Sequence, residues 1–250
     1  MISRIQPQVY AGRVKDKETL MLSSSGGAFT VLFDFFLEKR DALVANVYNY
    51  QTYTSKFHLI RNKSERNAAR GSKYMQSKPG DIFCEVYEWL KLNQDRKLLF
   101  AGTGCQTESF RKYAEMKNRV YIIDIICHGS PSLKLWKEYA ESLEKRKGKI
   151  SYLAFKDIRN GWKTPTAFVK INVKEVLIND YIRIFYNRCA SRLSCHECPY
   201  ATTECKTDLT IDDFWHIEET IPDFTIQTVI HYFWYIRIGG RSCLTALRMT

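Results

Sequence analysis

After the small-residue run Ser23 to Gly27, apolar side chains return at helical intervals, Ala28, Val31, Leu32 and Phe35, and predict an amphipathic helix entered through a Ser/Gly loop. Farther on, "KLLFAGTGCQTESFRKYAEM" opens with an unbroken apolar run, Leu98 to Ala101. It then passes through a Gly-rich turn into a helix. The same order recurs in "VYIIDIICHGSPSLKLWKEYAESLEKRKG". Val120 to Ile126 forms an apolar strand, His128 to Ser132 a turn, and Leu133, Trp136, Ala140 and Leu143 a helical stripe capped by Ser132. Strand–turn–helix units in series predict an α/β body over residues 1–150, a mostly parallel sheet with flanking helices.

Beyond residue 150 the texture changes. "ISYLAFKDIRNGWKTPTAFVKINVKEVLI" alternates apolar and polar positions around Asn160 and Gly161, the mark of antiparallel strands joined by a turn. Residues 151–224 therefore read as an appended antiparallel, cysteine-bearing region. Residues 225–250 lack acidic side chains and are crowded with aromatics; they read as a buried strand pair or an atypical end, and no function is assigned to them.

The 250 residues suffice for a sizeable core, and 45% apolar and 26% charged residues is ordinary globular composition. No apolar run reaches the roughly 18 residues needed to span a bilayer, and the start lacks the apolar segment of a secretory signal. The expectation is a cytoplasmic protein, where thiols stay reduced and clustered cysteines favour metal ligation over disulfides. A net charge of +11 suits an anionic partner such as a phosphate-bearing cofactor. No basic run interleaves with aromatics in a nucleic-acid-binding pattern, so no nucleic-acid partner is expected.

Four of the eight cysteines fall within "RCASRLSCHECPYATTEC": Cys189, Cys195, Cys198 and Cys205, spaced C-x5-C-x2-C-x6-C. Two thiolates separated by two residues grip one metal centre from a single turn. A zinc ribbon brings two such pairs and here there is one, while proline after Cys198 matches ferredoxin-like ligand runs. The local chemistry favours an iron–sulfur cluster over zinc, with unligated thiols as the bland alternative. Cys127 closes its strand and is a further ligand candidate; Cys105 opens a helix, where the dipole favours a reactive thiolate. Cys84 and Cys243 stand apart and read as structural. "SSSGG" and "GTG" each precede a helix and offer backbone N–H groups to phosphate, although both also serve simply as turns. Ser72, Lys73 and Tyr74 add a cationic and aromatic group, and His128 is a candidate acid or base.

Together "SSSGGAFT", "RGSKYMQS", "LLFAGTGCQ", "DIICHGSPS", "FKDIRNGWK", "SCHECPYA" and "DLTIDDFW" follow the order and approximate spacing of motifs in the coenzyme F420 hydrogenase/dehydrogenase beta-subunit family, which this chain resembles from about Val9 to Ile217. The resemblance implies a flavoprotein that binds FAD and a [4Fe–4S] cluster and passes electrons between a reduced soluble carrier, coenzyme F420 in archaeal members, and a ferredoxin-like partner or module. It implies cluster ligation by Cys195 and Cys198 with Cys127 and Cys189, and Cys205 in reserve. Ser24, Ser25, Gly26, Gly27, Ser72, Lys73, Tyr74, Gly102, Thr103 and Gln106 would lie at the flavin and its phosphates, with Cys105 and His128 catalytic.

The chain departs from the family pattern where Gly104 replaces a proline and where Asp212 and His216 replace glycines. The eight-cysteine ferredoxin module of some relatives is missing, so further clusters would come from a partner. Two other readings remain at this level: a zinc-stabilised binding module for nucleic acid or an acidic partner, and a truncated, inactive relative.

Overall fold

A computed structural model describes residues 12–24, 26–113, 118–161, 165–202 and 207–213, with the backbone of Arg237 and Ile238. In chain order the elements are α1 (Lys17–Met21), α2 (Ala28–Glu38), β1 (Ala42–Asn49), β2 (Thr54–Ile60), α3 (Lys63–Ala69), β3 (Ser77–Lys78), α4 (Ile82–Leu92), β4 (Leu98–Thr103), α5 (Gly104–Tyr113), β5 (Val120–Ile125) and α6 (Leu133–Lys147). After these come β6 (Ile150–Asp157), β7 (Thr166–Ile171), β8 (Lys174–Leu177), α7 (Asn179–Tyr186), α8 (Leu193–His196), β9 (Leu209–Ile211) and β10 (Arg237–Ile238).

Seven strands form one sheet in the order β10-β9-β5-β4-β1-β2-β3. Its centre is parallel, β1 with β4, β4 with β5 and β5 with β9, while β1/β2 and β9/β10 are antiparallel. The expected mostly parallel α/β sheet is therefore present. Strands β6, β7 and β8 make the separate antiparallel sheet that the alternation after residue 150 predicts.

Successive residues of the central strands feed opposite faces, as a strand's two-residue period requires. Leu43, Ala45, Leu99, Ala101 and Ile123 pack with Ala28, Leu32, Phe33 and Phe36 of α2. Ala42, Val44, Leu98, Phe100 and Ile122 pack with Ile82, Val86 and Leu90 of α4 and Phe110 of α5. The buried stripe of α2 thus runs through Phe33 and Phe36, and Val31 and Phe35 lie only partly buried beside it. A third cluster joins α6 and α7 to the small sheet through Trp136, Ala140, Leu143, Ile150, Phe155, Val169 and Tyr181. Ser132 caps α6 as expected, its hydroxyl accepting from the Leu135 N–H.

The β1/β2 hairpin was not foreseen from the sequence. Its turn is set by Asn49, whose side-chain oxygen accepts from the N–H groups of Gln51 and Thr52, and by Tyr53 in the left-handed region. At the far edge, β3 is two residues long and runs straight into Pro79.

Candidate functional site

In a parallel sheet, ligands bind in the crevice beyond the carboxyl ends of the strands. Here β4 ends at Thr103 and passes directly into α5, placing Cys105 in the first turn of that helix. Neighbouring β5 ends at Ile125, and Cys127 follows two residues later. The segment 188–200 folds back over this edge. The Arg192 N–H donates to the Ser130 carbonyl at 3.1 Å, and Pro131 bridges to Ser191.

Two glycines admit this segment. Gly129, with φ +119°, has Ser191 Oγ 3.1 Å and Cys195 Cβ 3.6 Å from where a side chain would begin. At Gly104 that position is 2.9 Å from Tyr200 Cβ, so the proline common in the resembling family would collide with Tyr200.

The result is an array of four thiols. Burial pushes the Cys127 thiol up to about 11; its Gly129 N–H hydrogen bond pulls the other way, and the nearby sulfurs of Cys105, Cys195 and Cys198 raise it further. Cys127 itself retains solvent access, so the crowding is at its sulfur rather than over the whole residue. Three sequence-distant segments therefore converge: the start of α5, the end of β5 and the C-x2-C pair. Among the described residues, no three Cys, His, Asp or Glu side chains are close enough together to hold a single metal ion. The Cys189 thiol donates to the Ile184 carbonyl at 3.6 Å. Cys205 and Ser25 lie outside the described residues, as do His216 and Cys243. Cys84, expected to be structural, is an exposed thiol on α4, 3.8 Å from the Tyr113 hydroxyl.

The remaining sequence-predicted residues divide into those that shape turns and those that line the rim. Gln106 Oε1 accepts from the Thr103 N–H at 3.0 Å and packs over Gly102, fixing the β4–α5 turn; Thr103 Oγ1 lies 3.5 Å from Cys105 Sγ. Ser24 Oγ accepts from the Ser72 N–H at 2.9 Å, joining "SSSGG" to "RGSKY". The Gly26 carbonyl accepts from the Val14 N–H at 2.7 Å, and Gly27 is the N-cap of α2. Lys73 turns its ammonium onto the carbonyls of Ala69, Arg70 and Gly71 at 2.5–3.0 Å, closing the end of α3. Burial draws the Lys73 pKa down to about 7.

Tyr74 stacks on Phe185, ring centres 4.2 Å apart, and its own pKa is raised by burial. His128 lies exposed against Phe185 and Tyr186, at 5.1 and 5.8 Å between ring centres. Spacing alone did not reveal that Cys105 stands with the metal-ligand candidates, nor that Lys156 and Asp213 form a buried ion pair beside this rim. The signal for Cys105 was its place at a strand's carboxyl end, shared with Cys127.

Comparison with known proteins places this architecture. The family model for the C terminus of the coenzyme F420 hydrogenase/dehydrogenase beta subunit matches residues 95–230, more than half of the chain. No curated protein matches the chain. Among solved structures, a chain of the F420-reducing [NiFe] hydrogenase complex from Methanosarcina barkeri superimposes with a TM-score of 0.57 at 16% identity, over 93% of this chain and 74% of that one. At that identity the likeness speaks to the fold, and the matched family model speaks to descent. The chain belongs to the coenzyme F420 hydrogenase/dehydrogenase beta-subunit family.

Proposed function

We propose that this chain is a flavin- and iron–sulfur-dependent oxidoreductase, exchanging electrons between a reduced soluble carrier of the coenzyme F420 kind and a ferredoxin-like protein. The observation that carries the reading is the convergence of Cys105, Cys127, Cys195 and Cys198 at the carboxyl edge of β4 and β5. Four thiols of this kind are the donor set of a [4Fe–4S] cluster, which spreads its ligands more widely than a single ion does. The donor chemistry fits. Ligation releases the proton that Cys127 holds while unligated, so assembly is favoured as pH rises. On this reading Cys105 moves from a catalytic role into the ligand set, and Cys189 leaves it.

The segments Ser23–Gly27 and Gly71–Tyr74 meet through the Ser24–Ser72 hydrogen bond and would hold the phosphate end of FAD. Buried guanidinium nitrogens of Arg66 and Arg70 beside them, without a hydrogen-bond partner among the described residues, match an anionic group. When bound, the flavin supplies conversion between two-electron hydride transfer and single-electron transfer. The chain's own residues do the rest. The turn held by Gln106 sets the direction of Cys105, Tyr74 and Phe185 form an aromatic wall, and we assign His128 as the proton carrier on the rim. Among the described residues no helix is long and apolar enough to cross a membrane; the proposed cytoplasmic location rests on the reduced, clustered thiols that cluster ligation requires.

The test is anaerobic purification followed by iron, sulfide and flavin analysis and low-temperature electron paramagnetic resonance. Replacing Cys105, Cys127, Cys195 or Cys198 singly with serine is expected to lower iron and sulfide severalfold, and Cys189→Ser to leave them unchanged. A colourless, iron-free chain after cluster reconstitution would overturn the reading. Iron lost in Cys189→Ser but kept in Cys105→Ser would overturn the ligand set.

A further inference from the structure

We infer that Arg66 and Arg70, with Thr30, form a buried site for a phosphate or diphosphate group between α2 and α3. The inference rests on the flavin reading only for the owner of that phosphate. Arg66 is 5% exposed, an uncommon place for a guanidinium, and its Nη2 meets Asp34 Oδ1 at 2.9 Å and Oδ2 at 3.1 Å. Its other two nitrogens, Nε and Nη1, are buried without a hydrogen-bond partner among the described residues, as is Nε of Arg70. The hydroxyl of Thr30, in the first turn of α2 and 3% exposed, is also buried and has no partner among the described residues. Burial lowers the Arg70 pKa and the like charge of Arg66 lowers it further, while Asp34 and Glu18 favour the charged form.

A buried donor left without an acceptor is costly, and more so when charged. Two guanidinium forks and a hydroxyl make a set of donors that one carboxylate engages at one corner only, and a tetrahedral oxyanion matches the fork geometry. Topology puts the set in the right place. Helix α2 runs into β1, which is parallel to β4 and β5, so its first turn lies at the carboxyl edge of the sheet. The Ser24–Ser72 hydrogen bond ties the end of α3 to that same edge. Lys73, the cation singled out by the sequence, is turned instead onto backbone carbonyls.

The test titrates the 250-residue chain, anaerobically purified and flavin-stripped, with inorganic pyrophosphate by calorimetry. Arg70→Gln is expected to weaken binding about tenfold or more, as loss of a charge-assisted contact does. Asp34→Asn removes the competing carboxylate and is expected to tighten binding severalfold. Thr30→Val, nearly unchanged in volume, is expected to weaken it by less than Arg70→Gln. Arg66→Gln risks the fold, so its readout is the pyrophosphate-dependent rise in melting temperature, expected to be smaller than in the parent.

No pyrophosphate binding by the parent, or equal affinity in the parent, Arg70→Gln and Asp34→Asn, would overturn the site. Competition between pyrophosphate and FAD identifies the phosphate as the cofactor's; simultaneous binding identifies a free phosphate ligand, and either supports the site. A chain that binds pyrophosphate as described but no flavin would sink the flavin reading alone. One that binds FAD equally well in parent and Arg70→Gln, and no pyrophosphate, would sink the site alone.

Discussion

At Gly129 a single hydrogen atom stands where any other residue would meet Ser191 and the Cys195 side chain, on a backbone with positive φ. Gly129→Ala is expected to cost about 1–3 kcal/mol in urea unfolding, from backbone strain and displacement of the cysteine segment. Asp212 presents the opposite case, a side chain where the resembling family has glycine. Burial raises its carboxyl pKa from 3.8 to about 6, with the neighbouring Asp213 charge adding to the rise. A raised pKa means that the folded state prefers the proton. The associated stability is fully present below pH ~4 and is lost as pH climbs through about 6. Asp212→Asn should therefore match the parent near pH 4 and exceed it at pH 7.5 by about 1–2 kcal/mol, the water this half-buried group still reaches screening the effect. Melting curves at the two pH values check this; an equal difference at both would refute it.

Helix α6 shows how far the hydrophobic pattern carries. Its stripe, its Ser132 cap and the strand before it were all legible, because a 3.6-residue period and a capping hydroxyl are local signals. Ser132→Ala should cost about 1 kcal/mol. Trp136→Ala should cost about 3–5 kcal/mol, since the ring is fully buried. Trp136→Phe should cost less, the loss being mainly the 3.0 Å bond that Nε1 donates to the Tyr48 hydroxyl. Denaturant unfolding of the three variants ranks them. The hairpin of β1 and β2 escaped because "ALVANVYN" is apolar on both faces where it is covered by helices, leaving no alternation to read. The thiol array was half legible for a related reason. The C-x2-C spacing is local, whereas the nearness of Cys105 to Cys127 exists only once β4 and β5 lie side by side.

For the molecule as a whole, the large and small sheets are joined by an ion pair as well as by packing. Lys156 on β6 meets Asp213, two residues past β9, with side chains 7% and 10% exposed. Removing one member of a buried pair is costlier than replacing both. Asp213→Asn is expected to lose about 3–5 kcal/mol, and Lys156→Met with Asp213→Leu to recover most of it. Chemical denaturation of the single and double variants measures the difference; a double variant as weak as the single would show that the pair contributes more than its own desolvation.

The two-residue strand at the sheet's far margin has a bearing on how copies of this chain meet. A long, flat outer strand offers a ladder of free amides and carbonyls on which another polypeptide can stack, the first step toward aggregates. Here that margin stops after Lys78, and Pro79 has no N–H to contribute to a longer ladder. Even at high concentration, strand addition onto β3 itself finds almost no template, since it pairs only Ser55 and Lys56 of β2 before the proline.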